Sequence, residues 1–377
     1  MALSIFYQFF LLGCTSFGGP AAHLGIFKKH FVDNLGWLPN ERYGAMISLS
    51  QILPGPGSSQ VGFAIGLERA GILGGIAAFI GFTLPSFLLM LMLAMTASEL
   101  PEPIENIIVG LKLFAVVVVA DAIFSMAKSF CKTTPLKVIT FISTLALLLL
   151  PSLHTQLWLL VIVAVVAYFY RFSPIVDDKN NSPIMLNWPV LGLFFAVFAL
   201  TFFGLPNNLF AQFYQAGALV FGGGHVVLPL LQNGVSGLSQ ESFLTAYAAA
   251  QAVPGPMFSI ASFLGAEVGG EHAFASSLLA TVAIFLPGLL LMWACHHSWQ
   301  SLSSLPKFAS ISAALNAAVV GLLAAAFYNP IWQSAVYSLW HIAVVIGGFI
   351  LLKYAKPPIW MMLLLFCGVG VLLPHLP

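Results

Sequence analysis

The chain has 377 residues, of which 60% are hydrophobic and 7% are charged, and its formal net charge is +1 at pH 7. Because a soluble domain carries about 25% charged residues, this composition excludes a soluble globule and indicates a polytopic membrane protein. The sequence has no basic run and no basic patch interleaved with aromatic residues, so nucleic acid is excluded as an expected partner.

The four cysteines, Cys14, Cys131, Cys295 and Cys367, are scattered along the chain. None belongs to a C-x-x-C spacing, so the sequence predicts neither a disulfide framework nor a zinc site, and we expect no metal or other cofactor. The cysteines are expected to act as small apolar residues in helices. The N-terminus lacks a basic region and a cleavage motif, so residues 3–17 are expected to belong to the mature chain.

Apolar segments of near-spanning length follow one another from the N-terminus to the C-terminus. They lie at 3–17, 44–66, 71–97, 106–126, 137–151, 155–171, 188–204, 209–221, 243–265, 271–295, 309–327, 331–352 and 358–374. The three hydrophilic stretches, Lys28–Arg42, Asp177–Asn187 and Gln232–Glu241, are too short to fold as domains. The activity of the protein is therefore expected in or at the membrane.

The two halves of the chain repeat the same short motifs in the same order. Phe17-Gly18-Gly19 corresponds to Phe221-Gly222-Gly223, Glu41 to Glu241, Gln51 and Pro54-Gly55-Pro56 to Gln251 and Pro254-Gly255-Pro256, Leu84-Pro85 to Leu286-Pro287, and Val109-Gly110-Leu111 to Val320-Gly321-Leu322. Segment 188–204 has no counterpart in the first half, and an unpaired spacer helix allows two copies to lie upside down relative to each other. We predict a first repeat at 1–175, a connector with the spacer helix at 176–207, and a second repeat at 208–377.

Basic residues favour this inverted arrangement, because cytoplasmic loops collect Lys and Arg. If each Pro-Gly-Pro segment enters and leaves the membrane on one side, and the second half is inverted, twelve of the thirteen basic residues share one side. Only Lys112 then lies within a helix, and Glu241, Glu267 and Glu271 lie on the other side. The expected fold is an all-α polytopic membrane protein with two inverted-topology repeats, whose broken or re-entrant helices meet near the bilayer midplane.

The repeated Pro-Gly-Pro breaks predict a binding site. Backbone that is not helical at membrane depth persists only where it is buried in protein or lines a wet cavity, and paired breaks form the substrate sites of secondary transporters. After Pro56 the chain restarts as Gly57-Ser58-Ser59, and a helix N-terminus with hydroxyls and free N–H groups suits an oxyanion. The predicted substrate-binding residues are Gly18, Gly19, Pro20, His23, Ser50, Gln51, Pro54, Gly55, Pro56, Ser58, Ser59, Gly222, Gly223, Gly224, His225, Gln251, Pro254, Gly255, Pro256 and Ser259.

Each of these features also has a purely structural interpretation. Proline kinks in membrane helices are often only steric, and a glycine triplet such as 222–224 is often a packing surface. His23 and His225 fit the headgroup interface as well as a binding site. The serine hydroxyls are able to bond back to carbonyl groups of their own helices.

Two ionisable residues, Lys112 and Asp121, stand within the apolar segment 106–126. They are about 13 Å apart along a helix, so they cannot pair with each other. A charge within the membrane marks an ion or proton path by default, which makes both residues candidates for energy coupling. The alternatives are a position near the cytoplasmic end for Asp121 and snorkelling for Lys112. Glu68-Arg69 and Glu267, which follow the restarted helices, are either gate or surface residues.

These motifs resemble the chromate ion transporter family. The resemblance is carried by Phe17-Gly18-Gly19-Pro20-Ala21-Ala22-His23, Pro54-Gly55-Pro56, residues 69–75 and 82–87, Phe221-Gly222-Gly223-Gly224 with Pro229, and Pro254-Gly255-Pro256. It covers nearly the whole chain and implies the long-chain type, in which two halves are fused in opposite orientation. It also implies export of chromate, a sulfate-like oxyanion, across a bacterial cytoplasmic membrane. One departure is His225, which stands where an aromatic residue such as Tyr is expected.

The sequence thus predicts a multi-pass secondary transporter of the inner membrane that moves a tetrahedral oxyanion by alternating access, and the family resemblance implies outward transport. An alternative within transport is uptake or exchange of sulfate or another anion, with chromate incidental. An enzyme is not expected, since the chain lacks HExxH and GxSxG motifs, and a scaffold would not need paired helix breaks. The expected partners are the oxyanion and the lipid bilayer, and a homodimer is left open.

Overall fold

The computed structural model describes residues 1–17, 19–97, 103–170, 172, 185–204, 208–221, 227–235, 237–296, 298 and 306–372. All regular secondary structure within these residues is helical. The predicted all-α fold is therefore confirmed.

The first half of the chain forms α1 (Ala2–Thr15), α2 (Gly19–Phe27), α3 (Asn40–Ile52), α4 (Gly57–Ala97), α5 (Pro103–Phe130), α6 (Thr134–Leu149) and α7 (Leu153–Phe169). The local sequence explains why several of these helices begin where they do. Pro135 lies in the first turn of α6, where its missing N–H costs nothing. The side chain of Ser152 accepts a hydrogen bond from the Thr155 N–H and caps α7.

The second half forms α8 (Trp188–Ala199), α9 (Leu209–Leu219), α10 (Val227–Gly234), α11 (Gln240–Ala252), α12 (Ile260–Gly269), α13 (Ala273–Cys295), α14 (Pro306–Ala326), α15 (Leu339–Ile350) and α16 (Ile359–Leu372). Helix α8 is the spacer predicted at 188–204, and it continues as a π-helix over Leu200–Gly204. The apolar run at 331–352 is only partly a helix of its own, because its first residues belong to a π-helical turn, Phe327–Trp332, that follows α14.

Within the described residues, four helical stretches are long and apolar enough to cross a membrane: Gly57–Thr96, Val109–Phe130, Met257–Cys295 and Ala309–Ala335. The first stretch bends sharply at Ala70 and Gly71, where the backbone leaves the helical region. Across this bend the backbones of Gly66 and Gly74 touch, so α4 is a hairpin of a short arm and a long arm. Shorter apolar helices of 10–17 residues surround these stretches, and the chain is a multi-pass membrane protein.

Each Pro-Gly-Pro break joins two short helices that return to the end at which they began. Arg42, in the first turn of α3, lies 3.0 Å from Glu68 at the end of the short arm of α4. Ser242, at the start of α11, donates a 3.2 Å hydrogen bond to Glu267 at the end of α12. Both runs that the sequence indicated as single apolar segments, 44–66 and 243–265, are therefore helix, break, helix. This is the geometry expected of a re-entrant segment.

The core of the molecule lies where the two halves meet. Helix α4 of the first half packs against α12 and α13 of the second half, while α1 packs on α4 and α9 packs on α13. Gly81 permits the closest approach of α1, because a Cβ at this position would collide with the backbone near Phe6 and Phe10. The helix breaks lie inside this core, so the candidate site is surrounded by residues of both halves.

Candidate substrate site at the two helix breaks

The two Pro-Gly-Pro breaks are tied to the opposite halves of the chain by a reciprocal pair of hydrogen bonds. The Gly55 N–H donates to the Val220 carbonyl at 2.7 Å, and the Gly255 N–H donates to the Ser16 carbonyl at 2.9 Å. The motif correspondence read from the sequence pairs Gly55 with Gly255 and Ser16 with Val220, so the two bonds are equivalent. Four chain interruptions, those after α1, α3, α9 and α11, thereby converge in one region.

Each break also packs against the long helix of the opposite half, one residue after a helix proline. A Cβ at Gly55 would lie 2.7 Å from the Cα of Gly288, which follows Pro287. A Cβ at Gly255 would lie 3.0 Å from the hydroxyl of Ser86, which follows Pro85. Gly55 and Gly255 also have φ angles of +125° and +105°, a region that other residues rarely adopt. Glycine is therefore required at both breaks by space and by conformation.

Gln60 fixes the first break to the second half. Its Nε2 donates to the Pro54 carbonyl at 3.0 Å and to the Gly288 carbonyl at 3.1 Å. The Pro54 carbonyl lies in the break between α3 and α4, and Gly288 lies in α13, so one side chain ties the break to the long helix of the second half. The sequence analysis missed Gln60, although an amide in the first turn after a break is a signal that would have found it.

His23 lies at the inner wall of the same region. Its Nδ1 is 3.3 Å from the Ser58 hydroxyl, and its ring packs edge-on against Phe82 at 5.2 Å. The side chain is fully buried, so its ring does not contact lipid headgroups directly. Phe82 connects His23 to the second break, because its carbonyl lies beside Gly255.

Several buried polar atoms of the first half, distributed around the two breaks, have no hydrogen-bond partner among the described residues. They are Ser16 Oγ, His23 Nε2, Ser59 Oγ, Gln60 Oε1 and Thr83 Oγ1. A buried polar group without a partner costs about 1–3 kcal/mol, so five of them in one region is an unusual concentration. Groups of this kind are what a polar ligand would satisfy.

The second half places mostly apolar residues at the matching positions. Val220, Phe258, Ile260 and Phe285 stand where the first half has Ser16, Ser58, Gln60 and Thr83, and all four are buried. Ser59 is the exception, since Ser259 matches it. The two breaks are thus alike in backbone geometry and different in side-chain chemistry.

The remaining predicted site residues divide into three groups. Ser50 donates to the Ile47 carbonyl of its own helix, which is the structural alternative that the sequence left open. Gln51 is exposed on α3 and does not reach the breaks, whereas Gln251 is buried, with its Nε2 3.3 Å from the sulfur of Met257. Gly18, Gly222, Gly223, Gly224 and His225 lie outside the described residues.

The two coupling candidates each form an ion pair with the second half. Lys112 Nζ lies 3.0 Å from a carboxylate oxygen of Glu241, and Lys353 Nζ lies 3.1 Å from Asp121. The sequence placed Glu241 and Lys353 on opposite sides of the membrane, and their partners Lys112 and Asp121 lie nine residues apart on α5. Lys112 has a carboxylate partner, so snorkelling is not needed to account for its position.

Glu68 belongs to a third charged cluster, which contains residues of both halves. One carboxylate oxygen of Glu68 lies 3.0 Å from Arg42 Nη2 and 3.0 Å from His296 Nε2. His296 follows α13 and is buried, while Glu68 is about one-third exposed. Glu68 is therefore not an isolated surface residue but part of a contact between the halves, and a gate role remains a prediction.

Comparison with known proteins assigns the family. The profile described as "Chromate transporter" matches residues 3–169 and 207–372. A "Probable chromate transport protein" of Synechococcus elongatus is 28% identical over 329 residues, which cover 85% of this chain and 82% of that protein. A "Chromate transport protein" of Cupriavidus metallidurans is 25% identical over 371 residues, which cover 92% and 87% of the two chains.

An "Uncharacterized transporter" of Methanocaldococcus jannaschii is 27% identical over 339 residues, which cover 86% of this chain and 83% of that protein. No solved structure matches the chain. The family comprises transporters rather than enzymes. Since the family profile covers most of both halves, the chain belongs to the chromate transporter family.

Proposed function

We propose that this protein is a secondary transporter that carries chromate or a closely similar tetrahedral oxyanion out of the cell across the cytoplasmic membrane. The observation that carries the proposal is the group of unpartnered polar atoms on Ser16, His23, Ser59, Gln60 and Thr83, which are distributed around the two breaks. The hydroxyls of Ser16, Ser59 and Thr83 are donors that replace part of the hydration shell of an oxyanion, whereas Gln60 Oε1 is an acceptor and would bind a water molecule beside the anion. The start of α4 adds backbone N–H groups. The two relatives named as chromate transport proteins support chromate as the substrate.

The site is suited to release as well as to binding. None of the five residues that carry the unpartnered atoms is an Arg or Lys. Dipoles hold a dianion less tightly than a set of arginines would, because no ion pair forms that must then be broken. Moderate affinity favours export, in which the anion must leave on the far side.

The membrane potential suffices as the driving force. An interior-negative potential of 100 mV favours outward movement by about 2.3 kcal/mol per charge, or about 4.6 kcal/mol for a dianion. That free energy supports a concentration ratio of roughly three orders of magnitude. Proton coupling through Asp121 is the competing mechanism.

Alternating access is supported by the pairing of the two halves. The breaks are packed together at the centre, Glu68 and His296 join the halves at one end, and Lys112 and Glu241 join them at the other. In the proposed cycle the two end contacts open in turn while the breaks hold the anion. The matched order of elements in 1–175 and 208–377 supports treating the halves as inverted repeats.

The test is labelled chromate flux into inside-out vesicles, in which export appears as uptake. We expect uptake that grows with a lumen-positive potential and falls strongly in Gly55→Ala and Gly255→Ala variants. Absence of flux for chromate, sulfate and molybdate would sink the proposal. Sulfate transport with chromate incidental is the second candidate. It would be established if unlabelled sulfate abolishes the flux of labelled chromate at a lower concentration than unlabelled chromate does.

A further inference from the structure

Helix α3, which leads into the first break, exposes a polar face. Glu41, Gly44, Ser48 and Gln51 are all exposed, and their spacings of three and four residues place them on one stripe of the helix. No residue of this stripe is apolar enough to suit contact with lipid tails. The stripe therefore differs from the exposed face of a helix such as α6, which carries large apolar side chains.

Gln51 lies at the inner end of the stripe. It follows Arg42 by nine residues, or about 14 Å along the helix axis, and the hydrocarbon core of a membrane is about 30 Å thick. The Ser48 hydroxyl donates to the Gly44 carbonyl of its own helix, whereas the Gln51 amide has no hydrogen-bond partner in the part of the chain that the structure describes. An amide without a partner is costly in hydrocarbon, so this face of α3 requires water.

The matching face of α11 in the second half is closed. The positions 200 residues after the stripe are Leu244, Ala248 and Gln251, and all three are buried. Helix α11 packs against α5, and the ion pair between Lys112 and Glu241 joins the same two helices. Helix α3 packs chiefly against α4 of its own half. The first half thus has an open flank where the second half has a sealed one.

The open flank stops short of the first break. Leu53, Gly55 and Pro56, which follow the stripe, are buried. Arg42, which pairs with Glu68, lies on a different face of α3 from the stripe, because each residue turns a helix by about 100°. The contact between Glu68 and His296 is therefore closed in this structure while water reaches the level of Gln51.

Charges near the two flanks differ in the same sense. The segments at the outer end of α3, 28–42 and 68–69, contain four basic and three acidic residues: Lys28, Lys29, Arg42, Arg69, Asp33, Glu41 and Glu68. The start of α11 and the end of α12 carry Glu241, Glu267 and Glu271, against which Lys112 is the paired base. Such fields attract an anion to the flank of α3 and repel it from the start of α11.

We propose that the exposed face of α3 lines a water-filled vestibule through which the oxyanion approaches the breaks from the cytoplasmic side, with Gln51 as the residue that meets it at the inner end. The amide of Gln51 offers two N–H donors and no charge, so it holds the anion without trapping it. This proposal rests on the proposed function, because it takes the oxyanion as the cargo and export as the direction.

The test is labelling of single cysteines in the full-length protein after the native cysteines have been replaced. Inside-out vesicles, whose cytoplasmic face is outermost, are treated with a negatively charged methanethiosulfonate that does not cross membranes. We expect Ser48→Cys and Gln51→Cys to react, and sulfate or molybdate to slow the reaction of Gln51→Cys. Ala248→Cys, the matched position of the second half, should react at least about tenfold more slowly, since a buried thiol reacts only when the protein opens.

Phe141→Cys is the control for contact with lipid, because Phe141 is an exposed apolar residue of α6. It should react with a membrane-soluble maleimide and not with the charged reagent. Gln51→Ala, at an exposed position that carries little folding risk, should raise the KM for chromate uptake by about tenfold, the effect of losing a hydrogen bond to a charged group. The maximal rate should change little.

Three results would count against the proposal. If Ser48→Cys and Gln51→Cys react no faster than Ala248→Cys, lipid or a second copy of the chain covers the face and the vestibule is overturned, while chromate flux keeps the proposed function standing. Labelling of Gln51→Cys that neither anion slows, with an unchanged KM in Gln51→Ala, overturns the role of Gln51. Absence of flux for chromate, sulfate and molybdate overturns the proposed function together with the passage of an anion along α3.

Discussion

The carboxylate of Glu68 and the imidazole of His296 lie 3.0 Å apart although 228 residues separate them in the chain. Glu68 ends the re-entrant hairpin of the first half, and His296 follows the long helix α13 of the second half. Their contact joins the halves, and Lys112 and Glu241 form a second contact between them. In the proposed inverted arrangement the two contacts lie at opposite faces. We expect these two contacts to break in turn during transport.

Removing the charge of Glu68 should loosen the contact at its face. Cys295 is a built-in reporter, because it is buried and directly precedes His296. In a background in which the other cysteines are replaced, Glu68→Gln should raise the rate at which a maleimide labels Cys295 by about tenfold, which corresponds to about 1.4 kcal/mol. Charge-assisted hydrogen bonds contribute free energies of this size.

The matched control for that experiment is Glu267→Gln, at the corresponding position of the second half, where the carboxylate accepts a hydrogen bond from Ser242. It should leave the labelling of Cys295 unchanged. Equal labelling rates in the Glu68→Gln variant and the unsubstituted protein would contradict a closing role for the Glu68 contact.

The break glycines should tolerate no side chain. Gly55→Ala places a Cβ 2.7 Å from Gly288, and Gly255→Ala places one against Ser86, both at positive φ. We expect chromate flux to fall at least about tenfold in each variant and the melting temperature to drop, since strain at such positions costs about 1–3 kcal/mol.

Gly44 provides the control for these substitutions. It lies inside α3, and a Cβ there would meet no atom within 4 Å. Gly44→Ala should keep full flux and raise stability by about 0.5–1 kcal/mol, because alanine favours the helix. Normal flux in the Gly55→Ala and Gly255→Ala variants would show that the breaks do not have to pack together.

Substitutions of the unpartnered hydroxyls should weaken substrate binding without lowering the stability of the protein. Ser59→Ala and Thr83→Val each remove a buried polar atom that has no partner, so the free energy of unfolding should stay equal or increase. The KM for chromate should nevertheless rise by about tenfold or more, since each variant loses a donor to a charged ligand. Thr281→Val removes a similar unpartnered hydroxyl from α13 of the second half and should leave KM unchanged.

The driving force is tested at Asp121. Asp121 and Lys353 are both about one-third exposed, and a pair of this kind contributes at most about 1 kcal/mol. If the membrane potential drives export, Asp121→Asn should keep both the pH profile and the dependence of flux on an imposed potassium diffusion potential. A pH profile that becomes flat in Asp121→Asn would instead favour proton coupling.

The ion pair between Lys112 and Glu241 is tested by exchanging its charges. Lys112→Glu and Glu241→Lys should each reduce flux, because two like charges then face each other at about 3 Å. The double exchange should recover most of the flux measured in proteoliposomes. No recovery in the double variant would mean that the pair does not act as a unit.

The sequence by itself determined the helical membrane class, most helix positions, the two breaks and their correspondence, because apolar length and the positions of proline and glycine are local properties. It indicated His23, Ser58 and Ser59 for the same reason, as polar residues beside a break. Only the tertiary structure decided which groups meet: Gly55 with Val220, Gln60 with Gly288, and Glu68 with His296. These contacts join residues more than 150 positions apart, and their partners depend on how the halves pack, which no local pattern encodes.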